Sequence, residues 1–90
     1  MRYSVYHPSS MDWLDVKTSS ITDFLSEYKV SLHKELVQSS ISRLKSYTDN
    51  SSKNPVILTL GQCRIEFKGI HEAIETIRGL QYALENLSLK

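Results

Sequence analysis

Residues 56–68 contain the strongest folding signal in the chain, two short alternating segments on either side of a glycine. Val56–Leu60 and Cys63–Lys68 flank the dipeptide Gly61-Gln62. A two-residue type II′ turn requires glycine at its first position because the backbone there has positive φ. The pattern therefore predicts a tight β-hairpin, and any fold for this chain has to accommodate it.

The turn also sets which residues face each other across the hairpin. On one face it pairs Leu60 with Cys63, Leu58 with Ile65, and Val56 with Phe67. On the other face it pairs Thr59 with Arg64 and Ile57 with Glu66. A slip of one residue would turn Arg64 and Glu66 toward the core, so the turn and the alternation support one register. This register places Cys63 on the buried face.

An amphipathic helix is predicted from about Ile70 to Leu87. Its apolar residues fall within one stripe: Ile70, Ala73, Ile74, Ile77, Leu80, Leu84 and Leu87. The other side of this helix holds Gly79 and Tyr82. Glycine inside a helix costs about 1 kcal/mol relative to alanine. Either Gly79 has no role or another element packs closely against it, and we favour the first interpretation.

The N-terminal residues Arg2–His7 alternate and are rich in tyrosine and valine, which predicts a short strand ended by Pro8. The segment after it has two interpretations. It forms either a short turn through Met11–Leu14 or a strand over Trp13–Lys17. We interpret Trp13 as a core residue, because tryptophan fills a core more often than it serves as a ligand platform.

A long helix is predicted from about Ser20 to Tyr47, with Ser20 as a candidate N-cap. Its apolar residues change sides partway along. One stripe contains Ile21, Leu25, Tyr28, Leu32 and Leu36, and the other contains Val30, Val37, Ile41 and Leu44. The stripes are separated by well over 100° around the helix, so a straight helix cannot place both against one small sheet.

Two explanations for the second stripe remain open. The helix breaks or bends near Ser39-Ser40, where two poor helix formers are adjacent. Alternatively, the helix is continuous and presents this whole second stripe, from Val30 to Leu44, to another copy or to a partner, with a spacing of seven, four and three residues that resembles a short coiled-coil seam.

These elements predict an α+β fold with the order β-α-β-β-α. A small antiparallel sheet, made of the hairpin 56–68 and the N-terminal strand, packs on the long helix and the C-terminal helix. Residues 47–55 are rich in turn formers and predict a mobile surface linker. Residues 1–90 are expected to form a single domain, since a second core would be too small to be stable.

No motif for catalysis, cofactors or metals is found in the sequence. The three histidines, His7, His33 and His71, fall in three different elements, and no spacing is typical of a zinc site. We therefore predict a protein that is not an enzyme and has no cofactor. The single cysteine and the lack of a secretory leader predict a cytoplasmic location, and no apolar run is long enough for a membrane span.

We expect a protein–protein interaction module of the adaptor, assembly-factor or mobile-element inhibitor type. A domain of this size is expected to be only marginally stable alone, and self-association is one way to bury more surface. The expected homo-oligomer interface is the second stripe of the long helix together with one tyrosine of the last helix: Val30, Val37, Ile41, Leu44 and Tyr82.

The alternative is a small nucleic-acid-binding regulator that uses the outer side of the hairpin. Its candidate contacts are Arg64, Lys68 and Lys53. A formal net charge of +1 gives this alternative little support. Glu66 lies on the same side, and aromatic residues of the kind that stack on single strands are not found there.

Overall fold

The structure, a computed structural model, describes residues 1–47 and 55–89. Its strands are β1 (Arg2–His7), β2 (Asp12–Val16), β3 (Val56–Leu60) and β4 (Cys63–Phe67). Its helices are α1 (Ile21–Glu27), α2 (Lys34–Tyr47) and α3 (Gly69–Asn86), with a 3-10 turn at Lys29–Ser31 between α1 and α2. The α+β class is confirmed, with one strand more than predicted and two helices in place of the long one. The predicted linker lies largely outside the described residues.

The four strands form one antiparallel sheet in the order β2-β1-β4-β3. The predicted hairpin register is confirmed, from Leu60 opposite Cys63 to Val56 opposite Phe67. Gly61 has φ of +60°, as the first position of the predicted turn requires. Since β1 pairs with β4, the hairpin lies on one side of the sheet and the N-terminal strands on the other.

A second hairpin joins β1 to β2 and settles the open interpretation of the N-terminal segment in favour of a strand. The chain turns after His7, whose carbonyl oxygen accepts a hydrogen bond of 3.2 Å from the Ser10 backbone N–H. Met11 completes the turn with φ of +53°. The register then pairs Tyr6 with Trp13, so β2 is the outermost strand on this side.

The helices cover one face of the sheet, and the buried apolar residues form one cluster between the two layers. Aromatic contacts connect the layers at two places. The rings of Tyr3 and Phe24 are 4.9 Å apart between β1 and α1, and those of Tyr47 and Phe67 are 5.5 Å apart between α2 and β4. Cys63 lies inside this cluster with 1% of its surface exposed, as the hairpin register predicts.

The predicted long helix is broken, and the break lies earlier than expected. Helix α1 begins at the N-cap Ser20, whose hydroxyl accepts the Asp23 N–H at 3.2 Å, and it ends at Glu27. Leu32 is extended, with φ of −96° and ψ of 133°, before α2 begins. This change of direction lets α2 turn its own apolar stripe toward the same core that α1 contacts.

The expectation of an exposed second stripe is therefore wrong for three of its four residues. Val37, Ile41 and Leu44 are buried in the core, with 0%, 7% and 4% of their surface exposed. Only Val30 stays outside, because it belongs to the 3-10 turn and not to α2. The coiled-coil interpretation had assumed one continuous helix, and that assumption is incorrect.

The predicted break at Ser39-Ser40 is also wrong, because both serines lie within α2. Their hydroxyls donate hydrogen bonds to the Leu36 carbonyl oxygen, at 3.1 Å for Ser39 and 2.8 Å for Ser40. Such back-bonding satisfies the serine hydroxyl without ending the helix. Ser40 is fully buried, so its small side chain also fits where α2 packs on its neighbours.

Helix α3 packs between α1 and α2, which gives it a wider buried surface than the sequence stripe predicts. Thr76, Gly79 and Ala83 are buried together with the predicted core residues Ala73 and Leu80. The interpretation of Gly79 as a position without a role is wrong, because Ile21 of α1 packs directly against it.

Candidate functional site

The sheet face that points away from the helices, here called the outer face, is the best candidate for a functional surface. Strand alternation assigns nine side chains to it: Arg2, Ser4, Tyr6, Trp13, Asp15, Ile57, Thr59, Arg64 and Glu66. All but Ser4 are at least partly exposed, and 54% of the Ile57 surface is accessible. The face combines aromatic, aliphatic and charged groups in one layer.

At the centre of the outer face, the Arg64 side chain lies over the ring of Trp13. The guanidinium carbon is 3.9 Å from the ring centroid, and the Tyr6 ring contacts the same indole edge-on at 5.4 Å. A cation–π contact of this kind contributes about 0.5–1 kcal/mol at exposed sites and about 2 kcal/mol when it is desolvated. The interpretation of Trp13 as a core residue is therefore wrong, since its half-buried ring packs on the sheet surface.

The stacking leaves one donor of Arg64 without an acceptor. Its Nε atom is buried and has no hydrogen-bond partner among the residues that the structure describes. Neither of the ion pairs within residues 1–47 and 55–89 involves Arg64. Because Nε is buried within the chain, another molecule contacts Arg64 through the part of its side chain that stays exposed.

Arg2, in contrast, is fully engaged with a carboxylate. Its Nε and one terminal nitrogen donate to the two carboxylate oxygens of Asp15 at 3.1 and 2.9 Å. The hydrogen bond from Arg2 lowers the pKa of the Asp15 carboxyl, and the same bond raises the pKa of the Arg2 guanidinium. Ser4 Oγ donates a further hydrogen bond of 3.3 Å to Asp15. These contacts fix β1 and β2 side by side at the surface.

The charges of the outer face balance. Arg2 and Asp15 neutralise each other, whereas Arg64 and Glu66 form no ion pair within the part of the chain that is described. A cleft of about 190 Å³ runs between these groups, with Trp13 in its wall. Pockets for small molecules usually have about 300–1,000 Å³. The outer face therefore suits the side chains of a macromolecule better than a small ligand.

The residues predicted as a homo-oligomer interface do not form one surface. Val37, Ile41 and Leu44 are in the core, as described above. Val30 lies on the 3-10 turn with 76% of its surface exposed, and Tyr82 lies on α3 with 43% exposed. Two exposed residues on different elements, without the three buried ones, do not make up the predicted interface.

Of the predicted nucleic-acid contacts that the structure describes, Arg64 lies on the outer face and Lys68 is exposed immediately after β4. Lys68 follows β4 and serves as the N-cap residue of α3, where its backbone N–H donates to the Glu72 carboxylate at 2.9 Å. Lys53 lies outside the described residues.

The histidine, cysteine and acidic side chains away from the outer face are dispersed over the described residues. Among residues 1–47 and 55–89, no group of three or more histidine, cysteine or acidic side chains has the arrangement of a metal site. The Cys63 thiol is enclosed by the core, and the Nδ1 of His7 hydrogen-bonds with the Ser9 hydroxyl at 2.6 Å. No helix in the same ranges is both long enough and apolar enough to cross a membrane.

Sequence reasoning placed Arg64 correctly but missed its neighbours on β2. The signal was present in residues 12–16, where polar Asp15 and aromatic Trp13 alternate with Leu14 and Val16. Pairing that segment with β1 across the Pro8–Met11 turn would have put Trp13 beside Tyr6 on the face that also carries Arg64.

Comparison of the chain with protein-family models, with curated proteins and with solved structures finds no match.

Proposed function

We propose that this chain is a non-enzymatic protein–protein interaction module of the cytoplasm, of the adaptor, assembly-factor or inhibitor type, which binds its partner through the outer face. The observation that carries this proposal is the pair Trp13 and Arg64, in which a partly exposed guanidinium side chain stacks on a partly exposed ring and forms no ion pair within the described residues. A partner carboxylate or backbone carbonyl accepts from the exposed part of that side chain on binding.

The composition of the outer face supports a protein partner. Tryptophan, tyrosine and arginine are the residue types that most often contribute the largest share of binding energy in protein interfaces. Trp13, Tyr6 and Arg64 are adjacent here, and exposed Ile57 adds apolar surface on β3. Equal numbers of arginines and carboxylates give the face no net charge, which disfavours a partner of one uniform sign.

The proposal is tested by capture of binding proteins from cells of the organism that encodes the chain. Tagged wild-type protein is compared with Arg64→Ala and with a matched control, Arg78→Ala, whose arginine is exposed on α3. The wild type and the control should retain the same protein, either a second copy or another chain, and Arg64→Ala should lose it. Equal recovery by all three chains, each confirmed as folded by circular dichroism, contradicts binding through the outer face.

Nucleic-acid binding is the second candidate, and one observation favours it. Tyr6 and Trp13 supply next to Arg64 the aromatic rings that single-strand binding requires and that the sequence did not place there. Asp15 and Glu66 on the same face oppose it by repelling phosphates.

Fluorescence anisotropy with labelled single-stranded oligonucleotides at several salt concentrations separates the two functions. The protein-binding proposal predicts no binding that strengthens as salt is lowered. Salt-dependent binding that is lost in both Trp13→Ala and Arg64→Ala supports the nucleic-acid function instead.

A further inference from the structure

We propose that the partner at the outer face is a second copy of this chain, bound face to face so that Arg64 of each copy pairs with Glu66 of the other. This inference rests on the proposed function and names its partner. It replaces the helical interface that the sequence suggested with a surface on the opposite side of the molecule.

The positions of the two residues allow reciprocal pairing. Arg64 and Glu66 lie on the same side of β4, two residues apart, which corresponds to about 7 Å along a strand. Consider a two-fold axis that lies in the plane midway between the two outer faces, perpendicular to the direction of β4 and level with Ile65. Rotation about this axis places position 64 of one copy opposite position 66 of the other. Symmetry then forms the pair twice, as in the isologous interfaces of most homodimers.

The electrostatics of the outer face favour this arrangement. Arg64 and Glu66 are half-buried and form no ion pair within residues 1–47 and 55–89, and the charge that lies nearest to Glu66 across the sheet, Arg2, has its hydrogen bonds with Asp15. The Glu66 carboxylate of one copy accepts from the exposed part of the Arg64 side chain of the other, and arginine–carboxylate pairs are among the strongest protein hydrogen bonds. Arg2 and Asp15 already neutralise each other, so two such faces carry no net repulsion.

The size of the outer face sets the expected strength of this dimer. Strands of five residues and a sheet of four strands give a flat footprint of about 17 by 19 Å, or about 300 Å². Because side chains project from the sheet, the accessible area of the face is larger than this flat footprint. A standard stable interface, however, buries about 800 Å² on each partner. We therefore expect a reversible dimer with a dissociation constant in the range of about 1–100 μM.

Charge reversal gives a sharp test by sedimentation-velocity ultracentrifugation. Arg64→Glu places four carboxylates at the centre of the dimer, and Glu66→Arg places four guanidinium groups there. Each single variant should dissociate about 100-fold more readily than the wild type. An equimolar mixture of the two variants should restore dimers, because every position 64 then faces an opposite charge at position 66.

Two further variants complete the charge-reversal experiment. The double variant Arg64→Glu with Glu66→Arg should form its own homodimer but should not pair with the wild type, since like charges then face each other at both sites. Arg78→Glu on α3 changes the net charge by the same amount as Arg64→Glu, and it should leave dimerisation unchanged. Since the mixture must regain what each single variant has lost, a folding defect in one variant does not reproduce the result.

Three outcomes overturn the inference: a wild-type monomer at millimolar concentration, single variants that dimerise as well as the wild type, or a mixture that stays monomeric. The proposed function can hold even where the second copy is not the partner. If the wild type is monomeric but captures another protein that Arg64→Ala loses, the second copy is excluded and protein binding through the outer face stands.

Discussion

Ile21 at the start of α1 fills the space that a side chain at position 79 of α3 would need. A Cβ added to Gly79 would lie 2.6 Å from Ile21 Cγ2 and 2.9 Å from both Cγ1 and Cδ1. Glycine at this position therefore lets two helices approach closely. Helix α1 lies this close to α3 because residue 79 has no side chain.

Gly79→Ala is expected to destabilise the protein by about 1–3 kcal/mol, because the added methyl group overpacks a close helix contact. At an exposed helical position the same change would stabilise by about 1 kcal/mol. Urea unfolding followed by circular dichroism measures the difference. Introduced into Ile21→Ala, which opens the site, Gly79→Ala should have a much smaller effect. A stabilising Gly79→Ala in the wild-type background would contradict the packing described here.

Val37 and Val30, which the sequence placed in one stripe, are expected to contribute very differently to the free energy of unfolding. Val37→Ala should lower the free energy of unfolding by about 2 kcal/mol, because Val37 is fully buried and its removal leaves a cavity. Val30→Ala should change it by less than about 0.5 kcal/mol, because Val30 is 76% exposed on the 3-10 turn. The two variants make the same chemical change, so their urea midpoints compare directly. Equal effects would indicate a continuous helix.

The Arg2–Asp15 pair predicts a small dependence of stability on pH. The hydrogen bond from Arg2 lowers the pKa of the folded Asp15 carboxyl below its ordinary value of 3.8. The pair therefore stabilises the fold above about pH 4, and this contribution is lost as pH falls through the lowered pKa. The effect is small, since the pair is exposed to solvent.

Urea midpoints measured between pH 7 and pH 3 test this dependence. Asp15→Asn should show a shallower fall of the midpoint below pH 4 than the wild type, and Arg2→Gln should resemble Asp15→Asn. Parallel curves for all three chains would show that the contact between Arg2 and Asp15 does not contribute.

The sequence predicts the fold well where local rules act alone. The turn at Gly61, the register of β3 on β4 and the N-cap at Ser20 each depend on neighbouring residues and are confirmed. The break between α1 and α2 depends instead on where the sheet lies. Apolar periodicity shows that two stripes diverge, but tertiary packing decides that Leu32 becomes extended to bring both stripes to one core.

The outer face was only partly predictable for the same reason. Arg64 and Glu66 follow from the hairpin register, which local sequence determines. Trp13 reaches Arg64 only across β1, since β2 and β4 are separated by that strand in the sheet. The alternation of residues 12–16 indicates on which side of a strand Trp13 lies, but the strand order that brings it to Arg64 is decided by tertiary pairing.

The most direct test of the central claim is the NMR spectrum of the ¹⁵N-labelled protein as its partner binds, whether that partner is a captured protein or a second copy compared across a dilution series. The account predicts changes at the Trp13 indole N–H and at the side-chain N–H signals of Arg64, because the partner contacts that stacked pair. The amides of Val30 and Tyr82 should stay unchanged. Binding that shifts the signals of the helices and leaves those of Trp13 and Arg64 in place would contradict the account.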